Sequence, residues 1–216
     1  MNIRNHDQSL ATLAIVAILG QAVLLASAFL LPLVSEYSLV RDTISELVLG
    51  RFGLVQTAAF LIAGAGTLAL AYVIRQLTDG AWGSRFGSLM VAIYGIGAIL
   101  TAIFPTDRID AASDIWSQST TGLIHIVISL ISFPCMIVGM YVLFRTFILE
   151  SAWQPLVPWI VLFPAAALPL FLGQSQGPWV GILQRLLVLS ISLWMIVVAL
   201  RARAIVTETM ERDLAL

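Results

Sequence analysis

The chain has no lysine, a single cysteine and little charge of either sign: charged side chains make up 11% of its 216 residues. An ordinary soluble domain carries roughly 25% charge, so a water-soluble globule is excluded. Eleven basic residues against twelve acidic ones leave a net charge of -1. That balance excludes the basic footprint of a nucleic-acid binder and the block of like charge that marks an acidic tail. Cys135 has no partner for an intrachain disulfide, no CxxC spacing and no histidine pattern beside it, so redox and zinc arguments find no footing. No cofactor is expected. A structural repeat is also missing: Phe104-Pro105, Phe133-Pro134 and Phe163-Pro164 recur at near-even spacing but at different depths in their segments.

What is there is apolar side chain, 60% of the sequence. A hydrocarbon core about 30 Å thick needs roughly 20 apolar residues of helix, and six segments qualify: 10–34, 53–74, 86–104, 122–144, 156–172 and 180–200. Lipid offers backbone groups no outside partner, and the segments lack the alternation of barrel strands, so all six read as helices. The expected fold is an all-α, polytopic bundle of six transmembrane helices forming one domain over residues 1–216. Ala26, Ser27 and Ala28 resemble a signal-peptidase site, but the apolar run continues past them, which predicts an uncleaved first helix.

With no lysine, orientation rests on arginine. Arg4, Arg75, Arg85, Arg145, Arg201, Arg203 and Arg212 fall on the side of the termini, against Arg41, Arg51, Arg108 and Arg185 on the other. Positive-inside bias then puts both termini of a multi-pass cell-membrane protein in the cytoplasm. Loops one and three, which hold half of the acidic residues, gather on the extracytoplasmic face.

Small or polar residues at helical spacing mark the faces that turn inward. Ala59, Ala63, Thr67 and Ala71 form a seam on span two, with Gly64 and Gly66 beside it. Span three offers Gly87, Val91, Tyr94, Ala98 and Thr101, and span four His125, Ser129, Ser132, Met136 and Gly139. Span six sets Arg185, Leu189, Ser192 and Ala199 on one face. Pro155, Pro158, Pro164 and Pro169 predict a kinked or partly opened span five. Trp82, Trp116, Trp153 and Trp179 lie near span ends, as in an interfacial aromatic belt.

Few polar residues then ask for an explanation. Arg185, about 7 to 8 Å into span six at 1.5 Å per residue, either snorkels to the headgroups or turns inward beside Gln184 to pair with a carboxylate or lipid phosphate. His125 stands one turn inside span four, for which Thr121 is a plausible N-cap. Asp107, in Phe104-Pro105-Thr106-Asp107 at the same membrane face, offers a carboxylate to orient that imidazole, or is simply part of a turn. Asp110, Ser113, Asp114, Ser117, Ser119 and Thr120 read as a solvated loop. Thr43-Ile44-Ser45-Glu46 matches a capping box, with Gly50 ending the short helix it would start.

The segment 37–47 with Gly50 after it, together with Phe104-Pro105-Thr106-Asp107, Gly122 with His125, and Gly181 with Gln184-Arg185, resembles an uncharacterised prokaryotic membrane-protein family, domain of unknown function 998. The resemblance spans 37–185. It implies a six-helix integral membrane protein and no established activity, and its signature positions correspond here to Ser45, Glu46, Asp107, His125, Gln184 and Arg185.

These six residues share one membrane face, where three readings compete. In the first, a binding or accessory protein docks a lipid headgroup or small molecule through Arg185, Gln184 and Glu46, or pairs Arg185 with Asp107 or Glu46 in a buried ion-pair network. In the second, a lipid hydrolase or transferase uses His125 as base, Asp107 as its orienting partner, Ser45 as nucleophile and Arg185 as phosphate or oxyanion clamp. A metal held by Asp107, His125 and Glu46 is a poor variant, because it offers only one histidine. The third is a small-solute transporter, which the lack of a charged residue near any span's midplane disfavours. Membrane lipids are the expected partners, nucleic acid is not, and oligomeric state is open.

Overall fold

A computed structural model describes residues 3–78, 82–108, 118–174 and 177–215. Asp110, Ser113, Asp114, Trp116 and Ser117 lie outside the described residues. Six helices long and apolar enough to cross a membrane run in sequence: α1 (Ile3–Leu30), α2 (Gly53–Leu77), α3 (Trp82–Ile103), α4 (Thr120–Leu149), α5 (Val157–Leu172) and α6 (Val180–Ala215). Among the described residues there is no strand. A polytopic helix bundle is what the hydropathy demanded.

Several boundaries move for physical reasons. The α1 segment changes to a tighter 3-10 turn over Leu31–Val34, where Pro32 cannot supply an α-helical donor. At the other end of the chain, α6 continues past the apolar stretch to Ala215, supported by Arg201, which donates to the Ala152 carbonyl at 2.6 Å and pairs with Glu208 at 2.7 Å. The α4 cap is Ser119 rather than Thr121: Ser119 Oγ accepts from Gly122 N at 3.1 Å. Nor is α5 opened by its prolines. Pro155 falls in a preceding 3-10 turn (Ser151–Leu156) and Pro158 in the first helical turn, where no donor is needed; Pro164 and Pro169 stand inside continuous helix.

The inward faces follow the small residues. Ala59, Ala63, Thr67 and Ala71 are all buried. A methyl on Gly20 would lie 2.9 Å from the Ile62 carbonyl oxygen, and one on Gly66 3.0 Å from that of Val16, so α1 and α2 meet backbone to backbone within one chain. Gly64 and Gly95 bring α2 and α3 together in the same way. In lipid, where apolar surface gains nothing by leaving tails for other apolar side chains, this close packing is what holds helices together. At mid-depth Gln21 Nε2 donates to Thr67 Oγ1 at 3.1 Å, and Ser192 Oγ donates to Gln21 Oε1 at 3.0 Å, which ties α1, α2 and α6. Trp82 and Trp179 are exposed at span ends as an aromatic belt requires, but Trp153 is buried. Its ring stacks on Phe147 at 4.4 Å and its Nε1 donates to the Leu77 carbonyl, so it belongs to the core.

Candidate functional site

The ends of α1, α3 and α5 and the starts of α2, α4 and α6 lie at one end of the bundle, and the polar residues gather there. Loop one is built first. Thr43 Oγ1 accepts from Glu46 N at 3.2 Å, while Glu46 Oε2 accepts from Thr43 N at 2.7 Å and from Thr43 Oγ1 at 2.8 Å. The capping box closes reciprocally and starts a 3-10 turn, Ser45–Leu49, which Gly50 ends. Gly50 accommodates Tyr37, whose Cε2 would lie 2.6 Å from an added methyl.

The start of α6 is pressed onto this loop. A methyl on Gly181 would strike the Asp42 carbonyl and lie 2.8 Å from that of Val40, and Ile182 N donates to the Val40 carbonyl at 3.1 Å. One turn on, Gln184 Oε1 accepts from Ile44 N at 2.6 Å. Arg185 is fully buried: Nε donates to Ala28 O at 3.0 Å, and Nη1 to Leu39 O at 3.0 Å, Asp42 O at 2.6 Å and Gly181 O at 3.1 Å. The Asp42 and Glu46 carboxylates add attraction at longer range. Of the two sequence readings, snorkelling is excluded by this burial. The inward reading holds, but with backbone carbonyls in place of a phosphate, so Arg185 ties α1, loop one and α6 together instead of facing a ligand. The carbonyl of Ala28, close to the end of α1, is one acceptor a helix C-terminus leaves for such a partner.

Loop three and α4 supply the rest. Pro105 cannot continue α3, and the Phe104 carbonyl, left without a helical partner, accepts from His125 Nδ1 at 2.8 Å. A carbonyl only accepts, so Nδ1 carries the proton. In the neutral ring Nε2 is then an acceptor, and 3.0 Å from it stands Ser45 Oγ, the donor. The sequence expectation that Asp107 orients His125 is corrected here. Asp107 accepts from Ser119 N at 2.6 Å and from Ser119 Oγ at 2.8 Å, and so strengthens the negative end of a cap at the start of α4, where the helix dipole favours it. Gly122 leaves space for that carboxylate, since a methyl there would collide with it. Glu46 is likewise engaged by Thr43, so Asp107, His125 and Glu46 do not converge on a common point. Among the described residues no group of three metal-ligating side chains occurs.

Ser45 stands between two cavities. The outer one, about 420 Å³, runs between α4, α5 and α6 and has His125, Thr43, Thr106, Gln174 and Gln184 at its polar end and Ile126, Leu130, Phe133, Phe171, Leu172 and Val180 along its walls. Leu130 and Leu172 are largely exposed, so this cleft opens toward the lipid-facing surface. The inner one, about 50 Å³, lies among α1, α2, α3, α4 and α6 and is walled by Leu24, Phe60, Tyr94, Ala98, Phe133 and Val188. Ser45, Ser129, Phe133 and Gln184 line both. Among the described residues no charged side chain lines either. Sequence reading found Ser45, His125 and Gln184. It missed the Phe104 carbonyl, which has no side-chain signature, and Thr106 and Gln174, whose signal was their nearness to His125's membrane face.

The family model described as Protein of unknown function (DUF998) matches residues 13–201. No curated protein and no solved structure matches the chain.

Proposed function

Since the chain belongs to the DUF998 family, whose function is unknown, we propose an activity from the chemistry of the site: a membrane-embedded ester hydrolase or acyltransferase acting on a membrane lipid. The observation that carries it is Ser45 Oγ donating at 3.0 Å to His125 Nε2, with the ring's tautomer fixed by the Phe104 carbonyl, at the wall of a lipid-facing cleft. A serine hydroxyl is a weak nucleophile until an adjacent base takes its proton. His125 is that base, and the carbonyl holds the imidazole where a triad would use a carboxylate. Gln184 supplies the oxyanion donor. Because Ile44 N can only donate, the amide oxygen of Gln184 must face it, which turns Nε2 into the free end of a side chain that lines the cleft.

The substrate's reacting group is a neutral carbonyl instead of a phosphate, because among the described residues no charged side chain lines the cleft. With the termini in the cytoplasm, as the arginine count favours, the cleft opens to the outer leaflet. A second reading, lipid binding without turnover, is favoured by the missing carboxylate behind His125. Purified protein in nanodiscs, offered lipid esters, separates the two. Turnover lost in both Ser45→Ala and His125→Ala, with thermal stability retained, supports the enzyme. Lipid retained by wild type and released by both variants, without product, supports binding alone.

A further inference from the structure

The two cavities that share Ser45 differ about eightfold in volume, about 420 against about 50 Å³, and this asymmetry bears on which part of a substrate goes where. We infer that the inner pocket is an acyl pocket for short hydrocarbon chains, and that the substrate class is a short-chain acyl ester of a lipid alcohol. The inference rests on Ser45 being a nucleophile, as proposed above.

The assignment follows from where groups can leave. Attack of Ser45 Oγ on the ester carbonyl forms the Oγ–acyl bond while its proton passes to His125 Nε2. Breaking the ester C–O bond then releases the alcohol, which takes that proton. Water next attacks the acyl carbon, giving a proton to His125 and, on collapse, returning one to Ser45 and releasing the carboxylic acid. The alcohol must depart before water arrives, so it belongs in the cleft that opens past exposed Leu130 and Leu172 to the lipid. The acyl group stays attached through the first step and needs no exit. It suits the smaller pocket on Ser45's other side, among α1, α2, α3, α4 and α6.

Size then sets the chain. An apolar cavity of about 150 Å³ takes the six carbons of benzene, so a pocket of about 50 Å³ takes two or three carbons beyond the carbonyl. Leu24, Phe60, Tyr94 and Val188 give that group apolar walls. Gly97 has the Ser132 hydroxyl pressed against it, and that hydroxyl is already donated to the Ile128 carbonyl at 2.7 Å, as Thr101 Oγ1 is to the Ala98 carbonyl at 2.9 Å, so neither of these two asks for a polar group on the acyl chain.

The test uses the full chain in detergent micelles with 4-nitrophenyl acetate, butyrate and octanoate, and Ser45→Ala subtracted as background. The expected result is hydrolysis of acetate and butyrate at least tenfold faster than octanoate. Val188→Ala, which widens the pocket, should raise the relative rate on octanoate severalfold, and Ala98→Leu, which fills it, should depress butyrate before acetate. Octanoate cleaved as fast as acetate, with the preference unmoved by either variant, overturns the acyl-pocket assignment and leaves the serine mechanism standing. Hydrolysis no greater than in Ser45→Ala for every ester overturns both. Thermal melts of the two pocket variants guard the comparison, and a variant that fails to fold leaves the wild-type chain-length profile to decide.

Discussion

His125 and Gln184 do their work through which of two similar atoms points where. A neutral imidazole has one donor and one acceptor, and the Phe104 carbonyl claims the donor. At Gln184, the Ile44 amide claims the oxygen. This makes a sharp substitution available: Gln184→Glu keeps an acceptor for Ile44 N but removes that side chain's donating group. Turnover should fall about 10²-fold, the usual cost of deleting one oxyanion donor, with the melting temperature little changed. An equal fall in stability would mean that Gln184 serves only to hold loop one. Arg185 calls for the opposite experiment. Its four carbonyl partners lie on three segments, and a lysine ammonium cannot reach Ala28 O through one nitrogen and Asp42 O through another as the planar guanidinium does. Arg185→Lys should therefore lower stability nearly as much as Arg185→Met. The loss should exceed about 3 kcal/mol, given the cost of 1–3 kcal/mol for each buried polar group left without a partner, and denaturation in mild detergent would measure it.

At the scale of elements, the sequence is most legible where one physical requirement dominates. Six apolar runs must be helices because lipid satisfies no backbone group, and the Thr43–Glu46 capping box announces the turn that carries Ser45 because each of its two side chains accepts from the other residue's backbone N–H at a fixed spacing of three. Where the partner is a backbone carbonyl far away in sequence, the pattern is silent. Nothing in the residue types marks the Phe104 carbonyl as the group behind His125, and Asp107, the obvious carboxylate nearby, is taken by Ser119. Trp153 misleads for a related reason: its position near a span end fits an interfacial belt, while its burial depends on Phe147 lying across from it. Gly181 is the element-scale counterpart of these contacts, since it lets the first turn of α6 touch the backbone of loop one. Gly181→Ala meets fixed backbone instead of a mobile side chain, so it should cost about 1–3 kcal/mol as overpacking does. It should also move Ser45 away from His125, and activity should fall further than at Gly122→Ala, where the displaced atoms are a side-chain carboxylate.

The whole molecule sets the site at one end of a bundle whose other end carries the charged continuation of α6. Between them the mid-depth polar side chains of Gln21, Thr67 and Ser192 bond to each other, and none of the three is ionisable. For the proposed reaction at Ser45, the side of the membrane on which this end lies decides which leaflet supplies the substrate. Seven arginines at the opposite end against four at this one favour an outward-facing cleft. With Cys135→Ser as background, Leu49→Cys and Thr207→Cys place a thiol at exposed positions on the two ends. A membrane-impermeant maleimide added to intact cells should label Leu49→Cys at once and Thr207→Cys only after lysis. The reverse pattern would turn the cleft toward the cytoplasmic leaflet, and the search for the lipid ester would move with it, since the Ser45–His125 geometry is indifferent to which side it faces and only the arginine bias chooses between them.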